Sequence, residues 1–172
     1  MQSRVGLGTE NSQVSTAPKK LKILCFHGFN NNKETFEFMT QAFREKFGHL
    51  AEFVILDGTF DIDVRYFPPE PVFLTKGFKP PFKSWFKFFS NVDDSVFDDT
   101  MNVDFNDRFK LLITKDEYKV YRGVEESAEH ILKAIAQHGP FDGFLGFSQG
   151  CAIIRSFIAL TNEVDPESYK HI

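Results

Sequence analysis

Gly139-Pro140-Phe141-Asp142-Gly143-Phe144-Leu145-Gly146-Phe147-Ser148-Gln149-Gly150 is the stretch from which both architecture and chemistry of this chain can be read. Gly139-Pro140 stops whatever helix precedes it, because proline cannot continue a helix and glycine closes one at little cost. Asp142 to Phe147 is short, apolar and rich in aromatics, the pattern of a buried parallel strand. An apolar helix then runs from about Cys151 to Leu160, with Asp165-Pro166 beyond it. Gly146-Phe147-Ser148-Gln149-Gly150 therefore sits between a strand and a helix. In that context Gly-x-Ser-x-Gly reads as a nucleophile elbow: a sharp turn displays the serine oxygen above the sheet, and the glycines give the turn room. The helix N-terminus that follows offers unpaired amides to a developing negative charge.

Upstream, the same alternation recurs. Leu21-Lys22-Ile23-Leu24-Cys25-Phe26 is a second short apolar run and ends in His27-Gly28. Asn30-Asn31-Asn32 supplies helix-capping chemistry, and Phe36, Met39, Phe43 and Phe47 recur three or four residues apart, which predicts one helical face ending at Gly48. Glu52 to Leu56 predicts another strand, with Asp57-Gly58 as its turn. Val124, Ala128, Ile131, Leu132 and Ile135 predict an amphipathic helix ahead of Gly139. Strand, helix, strand, insert, helix, strand, helix is the order of an α/β fold, with a core of parallel strands flanked by helices. The strand that begins the series should lie in the middle.

His27-Gly28-Phe29-Asn30 falls at the carboxyl end of that middle strand, the edge where open α/β sheets place their ligands. An acyl oxygen there could take one amide from this loop and one from the residue after the serine. Gln149 supplies the second; Phe29 is the choice for the first, with Asn30 as the alternative. His27 reads as a brace for the loop and not as a base, and Asp57 as a turn residue. His130 and His138 lie on the helix behind the sheet and read as solvated. Cys25 and Cys151 read as small apolar core residues.

Composition narrows the classes. The chain has 172 residues, a formal net charge of −4 and 42% hydrophobic residues. This suits one folded domain and argues against nucleic acid as a partner. Two cysteines make no disulfide framework, no His/Cys cluster has zinc-like spacing, and nothing resembles a membrane span or secretory signal. The expectation is a cytoplasmic protein using neither metal nor organic cofactor. Residues 1–20 are polar and read as a flexible tail, leaving 21–172 as the domain. Phenylalanine reaches 22 residues, many between Phe60 and Phe109. From about 59 to 118 no regular element is convincing, and the segment reads as a lid-like insert. Its lysines, Lys76, Lys79, Lys83 and Lys87, would face the acidic half from Asp93 to Asp107, in preference to a membrane surface.

Three blocks together resemble a known family: Leu24-Cys25-Phe26-His27-Gly28-Phe29, Tyr121-Arg122-Gly123-Val124-Glu125-Glu126-Ser127, and the stretch from Gly139 to Gly150. They are similar to the FSH-type serine hydrolases of the α/β-hydrolase superfamily, from about Leu21 onward. The resemblance implies carboxylesterase-like cleavage of an ester or thioester by a Ser-Asp-His triad, with Ser148 as nucleophile and no cofactor. In the superfamily the acid and the histidine follow the serine. Beyond the last helix only Asp165 and His171 are available, without strands to carry them, so the domain reads as lacking its C-terminal part. The alternative is therefore a catalytically silent remnant that binds acyl compounds or a protein. The strand around Phe144 would then present an open sheet edge, an invitation to self-association.

Overall fold

The computed structural model describes residues 19–64, 69–89 and 120–164. Most of the tail expected over 1–20, the acidic half of the insert, and Asp165 and His171 lie outside the described residues. In chain order the elements are β1 (Leu21–Phe26), α1 (Lys33–Met39), α2 (Gln41–Phe47), β2 (Ala51–Leu56), β3 (Phe60–Asp61), α3 (Pro71–Thr75), β4 (Lys83–Ser84), β5 (Lys87–Phe89), β6 (Val120–Arg122), α4 (Val124–His138), β7 (Gly143–Gly146) and α5 (Gln149–Val164).

A three-stranded parallel sheet in the order β2-β1-β7 forms the centre. β1 is apolar on consecutive residues because both of its faces are covered. Leu24 and Phe26 point to one side, where they join Trp85, Ala128, Ile131, Phe141, Ile153 and Phe157 under α4 and α5. Cys25 points to the other, with Phe36 of α1 and Ile55 of β2. Each large side chain removed from water in this way contributes about 1.5–3 kcal/mol. The outer edge of β7 carries no further strand among the described residues.

Two helical expectations change in detail. The helix foreseen from Phe36 to Phe47 is two helices, broken at Thr40, whose hydroxyl donates to the Phe36 carbonyl at 2.6 Å. Met39 and Phe43 are exposed, and Phe43 packs against Phe47 and Phe53. The capping chemistry of the Asn run resides in Asn32, which forms a reciprocal capping box with Thr35. In α4, Ala128, Ile131 and Ala134 are buried with Ser127, whereas Leu132 is exposed.

The insert is also more regular than its sequence suggests. β3 pairs with β4, and β5 with β6, both antiparallel. Among the described residues of this segment, Phe73, Phe82, Trp85 and Phe86 are buried. β4 is stitched to the loop after β1 by Asn30 N–H to the Lys83 carbonyl (3.1 Å) and Lys83 N–H to the Asn31 carbonyl (2.6 Å).

The start of α5 meets the end of β1 with no space between. A Cβ on Gly150 would lie 2.3 Å from the Phe26 carbonyl oxygen and 2.7 Å from that of His27. Both obstacles are backbone and cannot swing aside. Gly150→Ala is accordingly expected to lower stability by about 2 kcal/mol or more, read as a fall in the urea midpoint at unchanged slope.

Candidate active site

β7 delivers the chain to Phe147, whose amide donates to the Phe26 carbonyl at 3.0 Å. Ser148 then enters the left-handed region, with φ 52, a conformation that costs a residue bearing Cβ about 1–2 kcal/mol. The first bonds of α5 offset it: Gly150 N–H reaches the Phe147 carbonyl at 2.8 Å and Cys151 N–H the Ser148 carbonyl at 2.9 Å. Ser148 is exposed while Gln149 and Gly150 are buried. The loop after β1 comes close to it, since a Cβ on Gly28 would lie 3.4 Å from the Ser148 Cβ and 3.0 Å from the Phe147 ring. Ser148, Gln149 and the His27–Asn30 loop are thus brought to one end of the sheet, above the first turn of a 16-residue helix. Asn30, also left-handed at φ 58, has its amide committed to the Lys83 carbonyl.

His27 is fully buried. Its Nε2 accepts the Gly58 N–H at 2.9 Å, and its Nδ1 faces the Gly28 carbonyl at 2.7 Å. An amide only donates and a carbonyl only accepts, so the ring is neutral with its proton on Nδ1. Burial pushes its pKa below the ordinary 6.5; the bond to Gly28 and the Asp57 carboxylate, 3.8 Å from Nε2, oppose that, and Lys83 adds to it. The imidazole ties the β1 loop to the β2 turn, the bracing role its position implies. Asp57 is a turn residue in fact: its Oδ1 takes the Lys33 N–H at 2.6 Å, fixing the start of α1. His130 Nε2 lies 3.1 Å from the Asp57 carbonyl. The expectation that His130 is solvated is corrected in this respect, because the ring is half-buried against that turn.

Cys25 is a core residue, its thiol pushed up to about 12 by burial. Cys151, expected in the core, is exposed on the outer side of α5, because the buried face of that helix runs through Ile153 and Phe157. Among the described residues no imidazole or carboxylate is hydrogen-bonded to the Ser148 hydroxyl, and no three His, Cys, Asp or Glu side chains gather as metal ligands.

Sequence reasoning missed one polar assembly beneath the serine. The Gln149 side chain lies against the backbone of the insert: its Oε1 accepts the Trp85 N–H at 2.9 Å and its Nε2 donates to the Phe86 carbonyl at 3.0 Å. The Trp85 indole N–H donates to the His27 carbonyl at 2.8 Å. The Ser127 hydroxyl donates to the Trp85 carbonyl, so the Thr59 hydroxyl, 2.6 Å away, is the donor to Ser127. The available signal was that Trp85 is the single tryptophan of the chain.

Protonating His27 would set a second N–H against that of Gly58. A histidine held neutral has its native pKa below its unfolded one, so the unfolded chain binds more protons in between and stability falls as pH falls. Thermal midpoints should be level above about pH 6.5, the ordinary value, and decline progressively below it. His27→Gln, whose amide oxygen can accept the Gly58 N–H without titrating, should flatten that decline; an unchanged profile would contradict the assignment.

Comparison with known proteins assigns the chain to a family. The family described as serine hydrolase (FSH1) matches residues 15–172. Esterase OVCA2 of Homo sapiens is 32% identical over 155 residues, covering 87% of this chain and 60% of the relative. Esterase C25G4.2 of Caenorhabditis elegans is 31% identical over 146 residues, 85% of this chain and 53% of the relative. An uncharacterized hydrolase, C22A12.06c, of Schizosaccharomyces pombe is 30% identical over 143 residues, 82% of this chain and 29% of its own length. The chain spans little more than half the length of the two esterases. With a parallel sheet flanked by helices and a family match over nearly its whole length, the chain belongs to the FSH1 serine hydrolase family.

Proposed function

We propose that the protein is a carboxylic-ester or thioester hydrolase whose nucleophile is Ser148, held in a nucleophile elbow. The observation that carries this reading is the left-handed, exposed Ser148 at the junction of β7 and α5, beside the loop that follows β1. The similarity to proteins named esterases supports the substrate class.

In this reading the Ser148 oxygen attacks the acyl carbon, and the carbonyl π electrons move onto oxygen. The resulting oxyanion takes the amide N–H groups of Gln149 and Phe29. Phe29 is preferred to Asn30 in that pair, the Asn30 N–H donating to the Lys83 carbonyl at 3.1 Å. Collapse expels the alcohol or thiol, which leaves with the proton given up by the Ser148 hydroxyl, and the acyl-serine that remains is hydrolysed by water to the acid and the free hydroxyl. Amides aimed at a developing oxyanion are worth about 10²–10³ in rate each. A serine hydroxyl also needs a base within hydrogen-bond reach, and His27 is unsuited, since both ring nitrogens are engaged in the interior.

A fluorophosphonate is the direct test. It should modify the folded protein once, at Ser148 by peptide mass spectrometry, and Ser148→Ala should abolish the modification. A folded protein that takes no label, or takes it elsewhere, would overturn the assignment. Hydrolysis of p-nitrophenyl acetate should fall to background in the same variant.

A further inference from the structure

Resting on the reading of Ser148 above, we propose that Trp85 is a positioning residue for the reaction, a strut between the two amide donors that makes the insert part of the oxyanion apparatus. The two donors belong to segments far apart in sequence, Phe29 after β1 and Gln149 at the start of α5. An oxyanion gains from them only if both N–H groups lie about 2.7–3.1 Å from where the charge forms. Their separation must therefore be fixed by something rigid.

Trp85 touches both sides. Its indole N–H holds the His27 carbonyl, two residues before Phe29, at 2.8 Å. Its backbone N–H holds the side chain of Gln149, the other donor, at 2.9 Å. The residue cannot move to relax either bond. It is fully buried, its ring packs against Phe26 and His27 at centroid distances of 5.1 and 5.3 Å, and its carbonyl is held by Ser127. Gln149 gains a second tie from its Nε2 to the Phe86 carbonyl, so its carboxamide is used at both ends. A shared glutamine that only filled space would need neither bond. On the loop side the His27 ring adds its own clamp, to Gly28 and Gly58. The path from one amide to the other is thus Gln149, Trp85, His27, Gly28, Phe29, with hydrogen bonds wherever the backbone itself does not connect.

Removing a tie should loosen one donor while leaving the entrance untouched, so the loss belongs to the chemical step. Misplacement by about 1 Å can cost some 10²-fold; loss of one tie of several is expected to cost about 10-fold.

Trp85 being the only tryptophan, its biosynthetic replacement by β-(benzothiophen-3-yl)alanine alters this one residue, exchanging indole N–H for sulfur at the same shape. Gln149→Met is the companion variant, keeping the backbone amide and side-chain length but breaking both ties. The measurement is the saturation kinetics of fluorophosphonate labelling at Ser148, separating the limiting rate from the half-saturating concentration, with circular dichroism to establish the folded fraction. The expected result is a limiting rate reduced about 10-fold in each variant at an unchanged half-saturating concentration, and a combined variant little worse than either alone. A thiophene-substituted protein that is folded and labels at the unsubstituted rate would overturn the strut while leaving Ser148 in place. So would a loss that only tracks a lower folded fraction. If the unsubstituted protein takes no label, the underlying reading of Ser148 falls and the strut with it.

Discussion

The carbonyl oxygens of Phe26 and His27 occupy the space that any side chain at position 150 would need, and this exclusion organises the surrounding structure. It lets the first turn of α5 press directly on the end of β1, which puts Ser148 at the carboxyl edge of the sheet and forces it into its left-handed conformation. The same contact brings the loop after β1 alongside the serine, so that a Cβ on Gly28 would meet the Ser148 Cβ at 3.4 Å. Were the helix to stand off by the thickness of a methyl group, Phe147 could not keep its bond to Phe26, and Ile153 and Phe157 would leave the core they share with Leu24 and Phe26. Backbone closeness at one glycine thus links sheet, helix and site.

The second organising feature is polar. Buried hydrogen-bonding groups must find partners or cost about 1–3 kcal/mol each, and around Trp85 they do so by joining four regions that would otherwise only touch. The turn after β2 contributes Thr59, α4 contributes Ser127, the loop after β1 contributes the His27 carbonyl, and α5 contributes Gln149. Hydrophobic contact alone would leave these elements free to slide by fractions of an ångström. Directional bonds remove that freedom close to where a reacting group would sit.

Features written in neighbouring residues were legible in the sequence, and features made by distant pairs were not. The runs Leu21–Phe26 and Gly143–Gly146 announce strands because β1 and β7 are apolar over consecutive residues, and Gly139 marks the end of α4 because glycine is where such helices close. Gly146 to Gly150 carries its turn in its own spacing. The break at Thr40 was hidden, since Phe36, Met39, Phe43 and Phe47 keep helical spacing straight through it and only a threonine hydroxyl bonding back to Phe36 gives it away. The insert was hidden for another reason: strands of two or three residues such as β3, β4 and β6 are too short for any alternation to register. The partners of Gln149 lie more than 60 positions away, a distance across which composition and periodicity are silent.

The sheet order has a temporal side. β1 finds β2 after only a short stretch of chain, Leu21 opposite Ala51, but its other edge waits for Gly143 to Gly146, and the bond from Lys22 to Asp142 closes a loop of 120 residues. Loop closure on that scale slows assembly. On a ribosome, the N-terminal β1-α1-α2-β2 unit would emerge and pair while half of β1 was still bare. The carboxyl edge of the sheet gains Ser148 only when β7 and α5 arrive, and until then the apolar strand at its heart needs shielding from other nascent chains.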